Sequence, residues 1–194
     1  MKRYQLQLMI VLLAVFSMPS VAQSTIFSMV RSSGAVAAGC IPNAVGRVTI
    51  NHLGPVENMH VEVSGLPANT EFDLFVIQLP NAPFGLSWYQ GDIETDSTGR
   101  GVGDFVGRFS IETFIVAPGS GPAPVVHNVD ASSNPATAPV HTFHLGLWFG
   151  SAAAATAAGC PGTVTPFNGN HTAGIQALST RNFGNLNGPL RRIQ

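Results

Sequence analysis

From Val61 to Phe75 the chain reads VEVSGLPANTEFDLF. Apolar and polar positions alternate at both ends, and the Gly-Leu-Pro-Ala-Asn-Thr stretch interrupts them. Alternation puts successive side chains on opposite faces of an extended chain, so this pattern predicts a strand, a tight corner and a second strand. Pro67 fixes φ and removes a donor at the corner, and Asn69 can hydrogen-bond its own backbone there. Before the corner, Met59, Val61 and Val63 form an inward set against His60 and Glu62. After it, Phe72, Leu74 and Val76 share one face, while Glu71, Asp73, Phe75 and Ile77 share the other, which begins polar and turns apolar.

The same reading extends along the chain. Gln23 to Val36 is mixed and closes on a Ser-Ser-Gly turn. Gly46 to Ile50 is a β-branched strand, and Leu86 to Ile93 is another. Glu94 to Gly103 carries a Thr-Asp-Ser-Thr-Gly hairpin signal, and Asp104 to Phe109 and Ile111 to Val116 return from it. Trp88, Tyr89, Phe105, Phe109 and Phe114 are expected to supply the aromatic mass of the core. Ala117 to Pro139 reads as a long Pro-rich surface loop with at most one edge strand around Val125 and Val126. His141 to Phe149 reads as a central strand, and His171 to Leu178 as a last one. Ser151 to Ala158 is Ala-rich, with Ser151 an N-cap and Gly159 a stop, which predicts one short helix. The tail after about residue 181 reads as polar and loose, tacked down by Phe183 and Leu190.

Composition agrees. Gly and Pro number 21 and 14, which favours short strands and turns over long helices. The predicted class is all-β: an immunoglobulin-like antiparallel β-sandwich with one short Ala-rich helix.

The N-terminus is a different matter. Lys2 and Arg3 precede an apolar run from Leu8 to Phe16, and Ser20-Val21-Ala22 offers small residues for cleavage before Gln23. Residues 1–22 are expected to be a secretory signal peptide, its apolar run being too short to span a bilayer. Residues 23–194 are then expected to form a single β-sandwich domain, secreted, periplasmic or held at the cell surface, with no transmembrane segment after processing. In an exported chain Cys40 and Cys160 are expected to pair. Their settings, Ala-Ala-Gly-Cys-Ile-Pro and Ala-Ala-Gly-Cys-Pro, are alike, and no His or basic residue adjoins either, which argues against a reactive thiol.

After residue 22 the chain has seven Arg, no Lys and ten acidic residues, a net charge of −3. It lacks the basic stripe that nucleic acid or an anionic membrane surface requires.

Leu66-Pro67-Ala68-Asn69-Thr70-Glu71-Phe72-Asp73-Leu74 resembles the corner of fibronectin-type-III and other immunoglobulin-like sandwiches. Phe72 stands where those domains usually carry Tyr, so the corner's hydroxyl hydrogen bond cannot form through it. The longer stretch to Val106 resembles a pattern in exported bacterial β-proteins of uncharacterised role: a Gly-Leu-Pro corner, a strand, then a Thr-Asp-x-x-Gly hairpin. The resemblance covers about a quarter of the chain and implies architecture rather than activity.

Candidate chemistry is sparse. Asp92, Glu94 and Asp96 alternate along one strand, so their carboxylates share a face and could hold Ca²⁺; the competing reading is a solvated hairpin face balanced by Arg100 or Arg108. His141 and His144 are three apart on one strand and cannot chelate together; His52, His60, His127 or His171 could join one of them only through the fold. Ser110 and Ser120 lack a nucleophile elbow, and Gly99, Gly101 and Gly103 suit a twisted hairpin better than a phosphate loop. Asp104 with Glu112 is the carboxylate pair a hydrolase would use, and Asn170-His171-Thr172 matches a glycosylation acceptor. Phe84, Trp88 and His127 mark the neutral, aromatic loops expected to form a binding surface, suited to carbohydrate or a protein partner. The expectation is an exported non-enzymatic module with a binding or structural role and no cofactor beyond a possible Ca²⁺. The alternatives are a secreted hydrolase with an unrecognised site and a sandwich binding Ca²⁺ or a His-ligated metal.

Overall fold

A computed structural model describes residues 24–118 and 137–194. The expected signal peptide, the interior of the Pro-rich stretch, Ser120 and His127 lie outside the described residues. The strands are β1 (Thr25–Arg31), β2 (Val45–His52), β3 (Glu57–Ser64), β4 (Glu71–Ile77), β5 (Ser87–Glu94), β6 (Gly101–Gly107), β7 (Phe114–Pro118), β8 (Thr137–His141), β9 (His144–Phe149) and β10 (Gln176–Ser179). Two short helices, α1 (Ser33–Ala37) and α2 (Ala152–Ala157), and a 3₁₀ turn at Pro189–Arg192 complete them.

Eight strands pair antiparallel in the order β5-β4-β9-β10-β1-β2-β3-β6. β1 joins the two halves: Thr25 to Met29 pair with β2, and Val30 and Arg31 pair with β10. At the far edges β5 and β6 meet through a bridge between Thr95 and Gly101, so the sheet curls into a nearly closed barrel. The all-β class therefore holds, as one continuous curled sheet with two opposed halves. Phe27, Met29, Val48, Ile50, Met59 and Val61 of one half pack against Phe72, Leu74, Leu145, Leu147 and Phe149 of the other, all buried. Curling removes most of the unpaired edge that an open sheet would expose.

The Gly-Leu-Pro corner is clasped to the β5–β6 hairpin. The Thr95 hydroxyl donates to the Pro67 carbonyl at 2.6 Å and accepts from the Thr70 amide at 2.9 Å. The Thr95 amide also donates to the Thr70 carbonyl at 3.0 Å. Phe72 is fully buried and packs on Phe149 at 4.9 Å. The hydroxyl that ties this corner down therefore comes from Thr95, on the neighbouring hairpin. Gly99 (φ +74°) completes the clasp, because a Cβ there would lie 2.1 Å from the Leu66 carbonyl oxygen.

Cys40 and Cys160 form the expected disulfide, with Cα atoms 5.2 Å apart. The likeness of their settings has a structural origin. Each cysteine follows a short helix whose Ser N-cap (Ser32, Ser151) accepts from the amide three residues on, at 3.0 and 3.1 Å. Each helix stops at a left-handed glycine, Gly39 (φ +69°) or Gly159 (φ +74°). The Cys40 amide then bonds the Ala35 carbonyl at 3.2 Å, and Cys160 bonds Ala155 at 2.9 Å. This is the Schellman ending twice over, and it leaves both cysteines at the surface of the same core. The Ala-rich helix was expected; α1 is a second one, where the sequence reads as a turn.

Two other expectations change in detail. His141 to Phe149 is not one strand: β8 ends at His141, and β9 starts at His144 in a different sheet. β7 and β8 pair as a separate two-stranded ribbon at the base of the Pro-rich stretch. The tail returns to the core, with Leu190 and Ile193 buried and Phe183 edge-on to Phe27 at 6.2 Å.

Candidate functional site

The outer face of β4 carries the site. Glu71, Asp73, Phe75 and Ile77 point away from the main core, as the alternation requires. Phe75 and Ile77 are nevertheless buried, because loops cover them. Phe84 and Phe167 pack on Trp148 at 4.9 and 5.3 Å, and Phe75 meets Trp148 at 5.4 Å and Phe167 at 5.5 Å. This second small core explains how the outer face of β4 becomes apolar: the chain covers it with its own loops.

Beyond the aromatic cluster the same face is acidic. Asp73 lies opposite Asp92 on β5, and Glu71 lies opposite Glu94. β5 carries a bulge here: Leu74 pairs with Gly91, but Phe75 pairs with Tyr89. Tyr89 and Asp92 are three residues apart and would face opposite ways on a regular strand. The extra residue restores them to one face beside Asp73, a common use of bulges near functional sites. Tyr89 packs edge-on against Phe75 at 5.7 Å.

The loop after α2 forms the opposite wall. Asn168 donates to the Gly150 carbonyl at 2.8 Å and accepts from the Thr172 amide at 2.8 Å, which holds the loop against the end of β9. Glu71, Asp73, Tyr89, Asp92, Phe167 and Asn168 line the resulting open cleft of about 480 Å³. Carboxylate oxygens of Glu71, Asp73 and Asp92 all lie within 4.8 Å of one another.

Asp73 is the unusual member. It is 2 % exposed, and among the described residues its Oδ2 meets no hydrogen-bond donor. Burial raises its pKa to about 7, helped by the neighbouring carboxylates of Asp92 and Glu71, while the nearby Asn168 amide opposes the rise. Burial likewise pushes the Tyr89 phenol up, reinforced by the surrounding carboxylates, Asp92 foremost. The described ion pairs (Arg47–Glu62, His52–Glu57, His60–Asp104, Arg108–Glu112) all lie elsewhere, so the cleft's negative charge has no cationic side chain paired to it among the described residues.

The structure distributes the sequence-derived candidates unevenly. Asp92 belongs to the cleft. Glu94 is exposed outside the group of three, and Asp96 sits in the hairpin turn. There Asp96 accepts from the Thr98 hydroxyl and amide and the Arg100 amide, which lowers its pKa; the Thr98 hydroxyl contributes most. Phe84 is part of the covering aromatic cluster, and Trp88 is half-buried against the main core with its indole donating to Gln90 at 3.2 Å. Asp104 pairs with His60 at 2.9 Å across β3–β6, while Glu112 pairs with Arg108 at 3.9 Å. His141 stacks on Phe143 at 5.0 Å. His144 is buried, 3.0 Å from the Thr180 hydroxyl and 3.2 Å from the Asn185 carbonyl. The two histidines thus serve separate packing environments.

Glu71, Asp73, Tyr89, Phe167 and Asn168 were not singled out from the sequence. One signal was present: an acidic pair at Glu71 and Asp73 opens the strand before the hairpin partner that carries Asp92 and Glu94. Antiparallel pairing of those runs places four carboxylates on one face. The bulge and the covering loop left no comparable trace.

No family model, curated protein or solved structure matches the chain.

Proposed function

We propose that the mature chain is an exported, non-enzymatic binding module whose ligand occupies the cleft on the outer face of β4 and β5. The observation that carries this reading is the buried, unpartnered carboxylate oxygen of Asp73 at the floor of an open cleft. Leaving such a group without a donor costs about 1–3 kcal/mol or more, and a ligand that satisfies it recovers that cost. Tyr89 and Phe167 offer aromatic surface, and Asn170 offers an amide, beside the carboxylates. Flat apolar rings next to fixed polar groups suit a polyhydroxylated ligand, and a carbohydrate is the class that fits. The disulfide, and the lack among the described residues of any helix long and apolar enough to cross a membrane, are compatible with a secreted, periplasmic or surface location. The clasped Gly-Leu-Pro corner and the two opposed sheet halves support the immunoglobulin-like sandwich as the scaffold type.

A glycan array probed with the mature chain and with Tyr89→Ala tests this. Binding by the native chain that falls at least about tenfold in the variant, near the loss of one aromatic contact, is the expected result. An array empty for the native chain would remove the carbohydrate reading.

A second reading has its own observation. Asp73, buried and with its pKa raised to about 7, stands directly opposite the accessible carboxylate of Asp92, an arrangement that suits a general acid with a second carboxylate beside it. A glycosidase or esterase would show turnover on a substrate panel that disappears in Asp92→Asn. No turnover above that variant removes this reading.

A further inference from the structure

We infer that Glu71, Asp73 and Asp92 form a Ca²⁺ site in the cleft between β5 and the Phe167–Thr172 loop. The inference deepens the reading of the cleft as a ligand site and rests on it. Three strands of observation converge. First, the three residues offer oxygens within 4.8 Å of one another, which is the span available around one ion with Ca–O distances of 2.3–2.6 Å. Second, the arrangement does not depend on flexible surface groups alone. Asp73 is almost fully buried, it lines the acidic cleft, and its Oδ2 has no hydrogen-bond partner among the described residues. Third, no cationic side chain is ion-paired with these carboxylates among the described residues, where the arginine ion pairs are at Glu62 and Glu112.

The choice of ion follows from the donors. Hard carboxylate oxygens suit Ca²⁺ or Mg²⁺, whereas zinc sites draw on His and Cys, and neither belongs to the group. Three carboxylates supply up to six oxygens, and an open cleft leaves room for water or a ligand hydroxyl to complete a sphere of six to eight. Mg²⁺ demands a tighter octahedron and gives up water reluctantly, so an open acidic cleft of this kind favours Ca²⁺. The bulge at Gln90–Gly91 acquires a role in this arrangement, since it turns Asp92 and Tyr89 to one side of β5. An ion held by Asp92 would then sit beside the Tyr89 ring, where a bound hydroxyl could meet both.

The test is calorimetric titration of chelator-stripped mature protein with CaCl₂ at about pH 8, where free carboxyl groups are ionised. Thermal unfolding with and without the ion accompanies it. One ion per chain is expected, with affinity in the range of about 10⁻⁴–10⁻³ M usual for extracellular modules, and a higher unfolding temperature with Ca²⁺. Asp73→Asn and the exposed Glu71→Gln should each weaken binding at least about tenfold, with native circular dichroism retained. Glu71→Gln keeps the test valid if Asp73→Asn does not fold. Neither heat nor stabilisation at about 10 mM CaCl₂ would overturn the inference, as would affinity unchanged in both variants. Ca²⁺ binding by a protein that ignores every glycan would sustain the ion site while the carbohydrate reading fails.

Discussion

Asp73 concentrates the energetic tension of the molecule into one side chain. A carboxylate removed from water prefers its neutral form, and two neighbouring carboxylates reinforce that preference. Its folded pKa, about 7, exceeds the ordinary 3.8, so the native state binds the proton more tightly than the unfolded chain does. The stabilisation is therefore complete below pH 3.8 and is lost as pH rises through about 7. Chelator-treated protein should accordingly unfold in less urea at pH 8 than at pH 5, apart from the other groups' contributions. Asp73→Asn should flatten that difference and match or exceed native stability at pH 8; an unchanged pH profile would contradict the assignment. Thr95 belongs to the same scale. Thr95→Val leaves the Pro67 carbonyl and Thr70 amide without their hydroxyl partner and should cost about 1–3 kcal/mol in urea unfolding. Thr95 is legible in the sequence only as the first residue of the Thr-Asp-x-x-Gly hairpin, and Asp73 only as part of an acidic pair. Each acquires its role through a neighbour some twenty residues away, Asp92 or Thr70.

Among the elements, legibility followed locality. The corner, β2 to β5 and α2 were readable because alternation, a capping serine and a stopping glycine act within a few residues. The break between β8 and β9 was not: HTFHLGLWF reads as one apolar strand, yet Thr142 and Phe143 carry the chain from one sheet to another. The β5 bulge was equally silent, since the inserted residue leaves the surrounding composition intact. The paired helices were half legible. Their matching Ala-Ala-Gly-Cys endings were visible, but only the structure shows that both are Schellman stops presenting cysteines to each other. The disulfide closes a separation of 120 residues, for which the chain-entropy model gives about 5 kcal/mol. A Cys40→Ser/Cys160→Ser double variant should lose stability of that order in chemical denaturation. Ser32→Ala should cost about 1 kcal/mol as a lost cap, with a further loss because the Ser32 hydroxyl also donates to the Gln176 carbonyl.

At the scale of the whole molecule, the curled sheet has two solvent-facing sides of different character. The face of β2, β3 and β6 shows rows such as Arg47, Glu62 and Val102, with its charges paired across strands. The face of β4 and β5 is covered by loops except at the acidic cleft, where charge is left uncompensated. Function is assigned to the second face because its three clustered carboxylates have no cationic partner among the described residues, whereas Arg47 and Glu62 pair on the first. The measurement that tests this most directly is an NMR titration of the mature chain with Ca²⁺ and the glycans selected on the array. Amide shifts confined to Glu71–Asp73, Tyr89–Asp92 and Phe167–Asn170 are expected. Shifts centred on Arg47, Glu62 and Val102, with the cleft unmoved, would contradict the account.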